Sequence, residues 1–399
     1  VSQTLKSPWD RVSIAGLASG AAASHGARIF LTDCPDRLIW NGDDARTLSF
    51  LEFNRQALFF GAQMMTLGLP PGARLLLMLP NMAELAIAII GARAAGMVPA
   101  IAPVEEGVDA LRGAAERIGA QAIVTTARCE DIRLGERARQ VAAKLLEIRC
   151  VAGFGFGLPD GVVPLDGWAE EDALPLAAPV PVRQDKEAVI TFAQADGTLA
   201  AYLRSEAQIV ADALAFAARA RLGREAGVIA TLQPGSAAAL ITGLIVPLFL
   251  GMPVQLLGPY RRSRFNAVLA RQPEAAIIAP GAIIAALAGE WEEAGGSKPR
   301  HSLVSVRRPA EPVVAASGAP VDIPLFDAKE AGLLPLGVWP AEGEAALEGT
   351  HMHPMDDILP EDSALISLRN GPDGLSVSGG FCEPRVIQRD TRMVYPGAA

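Results

Sequence analysis

The sequence predicts an α/β fold, two packed sheets built from βαβ units with a small β-rich subdomain near the carboxyl end. Three observations carry that expectation. Apolar runs of strand length, such as Arg74 to Leu79 (RLLLML), alternate with stretches of helical periodicity, and strand–helix–strand units at this spacing build parallel sheets. After about Gly337 the helical periodicity stops, and short apolar runs stand between Gly, Pro and Asp, a β-rich texture. The chain has 399 residues, half of them hydrophobic and 20% charged, enough for two or three subdomains with ample core. The expected boundaries are 1–180, 181–336 and 337–399, the N-terminal part of the first packing with the second.

The elements follow in order. Ser49 stands three residues before Glu52, the spacing of a capping box, so a helix opens after Leu48 and runs to about Leu67. Leu67-Gly68-Leu69-Pro70-Pro71-Gly72 closes it. The continuous apolar run from Arg74 to Leu79 is a strand buried on both faces. Pro80-Asn81 turns into a helix from Leu85 to Ala95, and Val98 to Ala102 is the next strand. The alternation continues through helix Val108 to Ile118, strand Ala122 to Thr126, helix Leu134 to Leu146 and strand Arg149 to Phe154. A proline-rich connection, Leu174 to Arg183, precedes strand Ala188 to Phe192, a loop from Ala193 to Thr198 and a helix from Ser205 to Ala220. Strand Val228 to Leu232, helix Ala237 to Leu250, strand Pro253 to Leu257, helix Phe265 to Arg271, strand Ala275 to Ala279 and helix Ile283 to Trp291 complete the pattern. In the β-rich tail, Ser363 to Leu368 and Leu375 to Val377 are the strand-like runs.

Composition narrows the function classes. Lys and Arg total 35 against 44 Asp and Glu, a net charge of -9, and no basic stripe is present, so no nucleic-acid footprint is expected. Cys34, Cys129, Cys150 and Cys382 form no CxxC pair; neither a metal framework nor a disulfide scaffold is implied, and a reducing cytoplasm suits them. Val1 to Gly20 lacks the layout of a secretory signal. No charge falls between Glu225 and Arg261, but Pro234, Gly235, Pro247, Gly251 and Pro253 punctuate that stretch. Its longest uninterrupted part is too short for about 30 Å of hydrocarbon, and strand, buried helix, strand is the expected reading. His351-Met352-His353 with Asp356-Asp357 has the residue types of a surface metal site, with an exposed loop cluster as the preferred alternative. Gly153-Phe154-Gly155-Phe156-Gly157 lacks the spacing and downstream helix of a dinucleotide loop.

From Leu48 to Pro103 the chain reads LSFLEFNRQALFFGAQMMTLGLPPGARLLLMLPNMAELAIAIIGARAAGMVPAIAP. Leu67-Gly68, Pro71-Gly72, Leu79-Pro80-Asn81, Glu84, Ala95-Gly96 and Pro103 fall in the order and spacing that open the adenylate-forming superfamily of acyl-CoA synthetases, luciferases and peptide-synthetase adenylation domains. Pro247-Leu248-Phe249-Leu250-Gly251 and Pro280 resemble later landmarks of that superfamily, so the resemblance runs from about Pro8 to about Leu368. It implies the fold of the large N-terminal domain. It also implies ATP and magnesium as cofactors and a carboxylic acid as substrate, converted to an acyl-adenylate and then a thioester.

The departures from the pattern shape the functional expectation. The phosphate loop of the family, TSGTTGxPKG, corresponds here to Ala193-Gln194-Ala195-Asp196-Gly197-Thr198-Leu199-Ala200-Ala201. Only Gly197 and Thr198 keep its character, with an ordinary turn as the alternative, and the lysine is gone. Asp196 would face phosphate, and two like charges 4 Å apart repel by about 4 kcal/mol at an effective dielectric of 20. The YGxTE motif corresponds to Phe326-Asp327-Ala328-Lys329-Glu330. Phe326 can still stack on a purine and Glu330 stands where the metal-holding carboxylate belongs; a solvated loop with one buried aromatic is the alternative. Val306-Arg307-Arg308-Pro309-Ala310 replaces the adenine-side GGAPL, and Gly235 or Ser236 replaces the pocket histidine. Gln194, Gly235 and Ser236, with Phe326, are the expected lining of an acyl or aryl pocket at the strand ends. Up to Ala399 neither the TGD motif nor the late lysine of the family has a counterpart. The expectation is a catalytically impaired homologue that keeps the acid pocket as a binding or partner subunit and binds ATP and magnesium weakly or not at all. Its alternative is an active ligase whose small domain is supplied in trans or has been removed. A homo-oligomer or stable partner contacting the tail from Phe381 to Pro396 is expected.

Overall fold

The computed structural model describes residues 12–165, 187–195, 198–220, 222, 227–232, 234–272, 274–284, 286, 303–307, 322–328, 332–335, 366–371, 374–379 and 382–387. The chain opens with α1 (Ile14–His25), β1 (Ile29–Thr32), α2 (Arg37–Trp40) and β2 (Thr47–Ser49), four elements in a stretch to which the sequence pattern assigned none. Ser49 then starts α3 (Phe50–Thr66) with the expected capping box: its hydroxyl accepts from the Glu52 N–H, and the Glu52 carboxylate accepts from the Ser49 N–H at 2.8 Å. The βαβ series is β3 (Arg74–Met78), α4 (Ala83–Ala94), β4 (Val98–Ile101), α5 (Val108–Ile118), β5 (Ala122–Thr126), α6 (Leu134–Ala142), β6 (Cys150–Phe154) and β7 (Val163–Pro164).

The next two strands bring the main departure from the sequence pattern. β8 (Glu187–Ala195) runs three residues past the expected strand end, and β9 (Thr198–Ser205) takes up the end of the expected loop and the stretch before the helix. The two pair antiparallel from Glu187↔Ser205 to Ala195↔Thr198. There follow α7 (Glu206–Ala220), β10 (Val228–Ala230), α8 (Ala237–Leu240), a π-helical turn over Ile241–Ile245, α9 (Val246–Leu250), β11 (Val254–Leu256), α10 (Arg262–Arg271), β12 (Ala276–Pro280), β13 (Leu303–Arg307), β14 (Asp322–Ala328) and β15 (Gly332–Pro335). Most of the expected helix Ile283 to Trp291, and the Leu174 to Arg183 connection, lie outside the described residues. The β-rich tail is an antiparallel meander of β16 (Ile366–Gly371), β17 (Gly374–Gly379) and β18 (Cys382–Ile387). His351 and His353 lie outside the described residues.

Two larger sheets result. One has the order β15-β14-β13-β12-β10-β11-β1-β2, the other β7-β6-β5-β3-β4-β8-β9. Each is parallel inside and closes on antiparallel edge pairs, β14–β15 and β1–β2 in the first and β8–β9 in the second. The chain crosses between them: β1 and β2 join the first, β3 to β9 the second, and β10 to β15 return to the first.

Strand alternation shows how the layers stack. Leu75 and Leu77 of β3 and Val228 and Ala230 of β10 share one core with α1, α3, α4 and the Ala237–Leu250 helical run. Leu76 and Met78 turn the other way, onto α5 and α6. Ile229 and Ile277 turn away from the shared core onto Phe265 and Val268 of α10. Helices thus fill the space between two sheets and cover their outer faces.

The middle helix of this sandwich is α4, and all twelve of its residues are buried. A helix buried on every side has no solvent face to orient it; here backbone proximity to α3 helps fix its position. A Cβ on Gly91 would lie within contact-breaking range of the Ala57 carbonyl and 2.8 Å from a Phe60 ring carbon, and one on Gly61 would meet the Gly91 carbonyl at 2.6 Å. The clash is with backbone, which relaxes poorly. Gly91→Ala is therefore expected to destabilise the fold by about 3 kcal/mol or more, whereas Gly113→Ala on α5, where a Cβ meets nothing within 4 Å, should be neutral or stabilising. Paired urea denaturation curves check the contrast.

Candidate functional site

The carboxyl ends of strands from both sheets converge, and in open α/β sheets that edge is where ligands bind. After β3, Asn81 reaches across and its Nδ2 donates to the Ala230 carbonyl at the end of β10, at 3.0 Å. After β10, Gly235 crosses back: its carbonyl accepts from the Phe192 N–H of β8 at 3.1 Å. Gly235 has φ 103°, and a Cβ there would stand 3.0 Å from the Ile101 carbonyl, so only glycine suits this crossing. Ser236 caps α8, its hydroxyl accepting from the Ala239 N–H at 3.1 Å.

Beneath these crossings lies a cavity between α4, the π-helical turn and the β1–β10–β11–β12 face. Met82, Leu85, Ala86 and Ile89 of the α4 segment form one wall, Thr242, Gly243 and Leu244 of the π-helical turn another, and Ala230, Leu256 and Ile278 a third. Asn81, Pro234 and Gly235 stand along its lining as well, and the centre of a water-sized sphere can move through about 50 Å³ of it. The hydroxyl of Thr242 is spent on the Ala238 carbonyl at 2.7 Å, so the walls offer apolar surface. π-turns inside helices recur at functional sites, and this one carries three lining residues.

The sequence-predicted residues separate into three groups. Gly235 lines the cavity, and Ser236 stands next to it as a cap. Thr198 begins β9 and is exposed, directly paired with Ala195; Gln194 lies in β8 opposite Leu199. Phe326 lies within β14, which continues to Ala328, and pairs with Arg307 and Leu334. The side chains of Gln194 and Phe326 are outside what is described, as are Gly197 and Glu330 altogether. The α4 stripe was not among the predicted site residues. Its spacing at 82, 85, 86 and 89 is one helical face, but in a helix apolar all round that face does not stand out.

A second cluster sits beside the cavity, at the N-terminus of α4. Asp33, just past β1, accepts from the Ala83 N–H at 2.9 Å and so caps α4, whose own N-cap Met82 has no side-chain acceptor. Arg37 is buried between Asp33, at 2.5 Å, and Glu84, at 3.0 Å, and Arg46 adds a second contact to Glu84 at 2.9 Å. Burial pushes Glu84 upward, but the two guanidiniums outweigh it and hold the carboxyl below its ordinary range. Asp33 is pushed up to about 6 by burial and then by the charge of Glu84, against the pull of Arg37. Glu84 Oε2 has no hydrogen-bond partner among the described residues. Burial also pushes the Cys34 and Cys129 thiols up to about 12, leaving them neutral and unreactive at physiological pH. Among the described residues no group of three His, Cys, Asp or Glu could hold a metal, and no helix is long and apolar enough to cross a membrane.

Two packed sheets, parallel inside and converging at their carboxyl ends around a central buried helix, define an α/β ligand-binding domain. The chain matches the AMP-binding enzyme family over residues 20–330 and belongs to it. Among solved structures it is similar to an acyl-CoA synthetase from Brucella canis, with 19% identity and a TM-score of 0.62 over 79% of this chain and 57% of that one. A long-chain-fatty-acid-CoA ligase from Archaeoglobus fulgidus gives 14% identity and a TM-score of 0.67 over 83% of this chain and 66% of that one. The N-terminal subdomain of NpsA from Klebsiella oxytoca, solved in complex with 3-hydroxybenzoyl-AMSN, gives 12% and 0.58 over 80% and 74%. At these identities the likeness establishes the fold. The chain spans a little over half the length of the Brucella protein, and a search of curated proteins gives no match.

The Asp33 cluster yields a pH signature. Between its ordinary value of 3.8 and about 6, the folded chain binds more protons at Asp33 than the unfolded chain does, so this contribution to stability falls as pH rises through that window. The difference in unfolding free energy between the wild type and Asp33→Asn should therefore shrink by about 2 kcal/mol from about pH 4 to about pH 7. Urea titrations of both proteins across that range check the sign.

Proposed function

We propose that this chain is an acyl-CoA synthetase-like member of its family that holds the apolar part of a small carboxylic acid or acyl group in the cavity beside α4, in a cytoplasmic setting, and has lost effective use of ATP. The observation that carries the reading is the β8–β9 ladder. Pairing persists to Ala195↔Thr198, so only Asp196 and Gly197 separate two paired strands where the family has a Ser/Thr/Gly-rich loop with a lysine. Asp-Gly is the sequence of a two-residue hairpin connection, too short to supply the hydroxyls and lysine of the family's loop, and it brings the negative charge of Asp196 instead. The residues at the phosphate loop, with an aspartate and without a lysine, therefore do not fit ATP and magnesium.

What the chain's own residues supply is binding. The α4 stripe and the π-helical turn exclude water from an apolar group, while Asn81 and Gly235 hold the two sheets together at the opening. Gln194, Phe326, Gly197, Thr198 and Glu330 remain proposed neighbours of the site, the last as the remnant of a metal carboxylate. The second reading is an active acid–thiol ligase whose small domain is supplied in trans or has been removed; the match to the AMP-binding enzyme family over residues 20–330 supports it.

Calorimetry with Mg-ATP separates the two. The proposal expects no binding tighter than about millimolar, or roughly -4 kcal/mol, and no ATP–pyrophosphate exchange with a panel of carboxylic acids; a micromolar constant with exchange would establish the ligase instead. The same reading expects a partner or second copy on the tail beyond Phe381. Sedimentation equilibrium with and without the residues after Arg389 should show an assembly that truncation dissolves. A monomer in both cases counts against it.

A further inference from the structure

We infer that the cavity beside α4 is a length gauge that accepts a short aliphatic acyl group and rejects both aryl and long-chain acids, with Gly243 setting its limit. This rests on the proposed reading of the cavity as an acid site and narrows it. The space open to the centre of a water-sized sphere is about 50 Å³. That is space for a short chain of a few heavy atoms. It is also about a third of the 150 Å³ of an apolar cavity that takes benzene, so a ring is too large without repacking.

The walls have little freedom to yield. Ile89 and Leu85 belong to a helix buried on every side, and the Gly61–Gly91 contact prevents α4 from backing away toward α3. Across the cavity Gly243 faces the sheet, and a Cβ built on it would stand 3.4 Å from the Ala230 Cβ. That is ordinary contact: an alanine fits there, and its methyl takes up space that an acyl chain would use. The interior is also free of charge, since Asn81 donates to the Ala230 carbonyl and Thr242 to the Ala238 carbonyl. A carboxylate would stay at the opening, and chain length would be measured from there.

Calorimetry on the full chain with sodium salts of straight-chain acids from two to twelve carbons, and with benzoate, tests the gauge. Affinity should peak at about three to five carbons and fall at least about tenfold by eight, with benzoate weaker than butyrate. Gly243→Ala should move the optimum about one carbon shorter while the thermal midpoint holds or rises, because alanine favours a helix; a purely structural glycine would lower both together. Ile89→Val should move the optimum about one carbon longer and serves if the first variant misfolds. Decanoate or benzoate binding as tightly as butyrate would overturn the gauge and leave the acid-binding reading standing. No binding at any length, in the wild type and in both variants, would overturn that reading and the gauge with it.

Discussion

The core shared by the two larger sheets is arranged around one buried helix. α4 lies between the two sheets with all twelve residues buried, so the two charges it carries have to be neutralised inside the protein. Glu84, in its first turn, meets Arg37 and Arg46. Arg93, in its last turn, meets the fully buried Glu206 at 2.8 Å and donates to the Met97 carbonyl at 2.8 Å. The signs suit the helix dipole, acid at the N-terminus and base at the C-terminus. Each pair also recruits other parts of the chain. Asp33, from the end of β1, caps α4 beside Glu84, and Glu206, at the start of α7, accepts from the Ile14 N–H at the start of α1 at 2.6 Å. Removing one partner of such a pair strands a buried charge, typically at 3–5 kcal/mol. The two ends of α4 thus serve as the joints that hold four separate segments in place.

The cavity follows from the same constraint. Helices in a two-sheet sandwich leave gaps where their surfaces do not mesh, and here residues of α4 and of the π-helical turn face each other across such a gap. One extra residue per turn there displaces Gly243 and its neighbours from regular helical positions. An apolar cavity between closely packed walls is the outcome, placed under the converging strand ends. Its chemistry is dictated by what surrounds it: apolar side chains on three walls and polar groups already satisfied by backbone.

Local signals in the sequence were informative where a single segment decides its own structure. The capping box at Ser49 and Glu52, the bounds of α5 and β5, and the doubly buried run of β3 all follow from propensity and period. The amino-terminal elements were harder, because Ala- and Gly-rich α1 has only a shallow periodicity, and β1 and β2 are three or four residues long. β9 was missed for a different reason. Its Thr-Leu-Ala-Ala-Tyr-Leu-Arg-Ser sequence alternates weakly, and the resemblance to a phosphate loop drew the reading toward an open connection when Asp196-Gly197 is itself a hairpin signal. The buried ion pairs were illegible because their partners are far apart in sequence: Arg37 and Glu84 by 47 residues, Arg93 and Glu206 by 113. The site was legible in part. Gly235 could be named from its place after a strand, but the α4 wall could not, since its inward face looks like every other face of that helix.

The crossing of the chain between sheets also bears on how the molecule is made. Leu31 of β1 pairs with Val254 of β11, so 223 residues must be added to the growing chain before β1 finds its neighbour. At ribosomal speeds of about 5–20 residues per second, that is a wait of roughly 10–45 s. Through that interval β1 has only β2 and α3 beside it and offers one unpaired edge, next to a second sheet that can already assemble from β3 to β6. Synthesis from the N-terminus therefore allows the interior of the second sheet to form before the parallel edge of β1 in the first is secured.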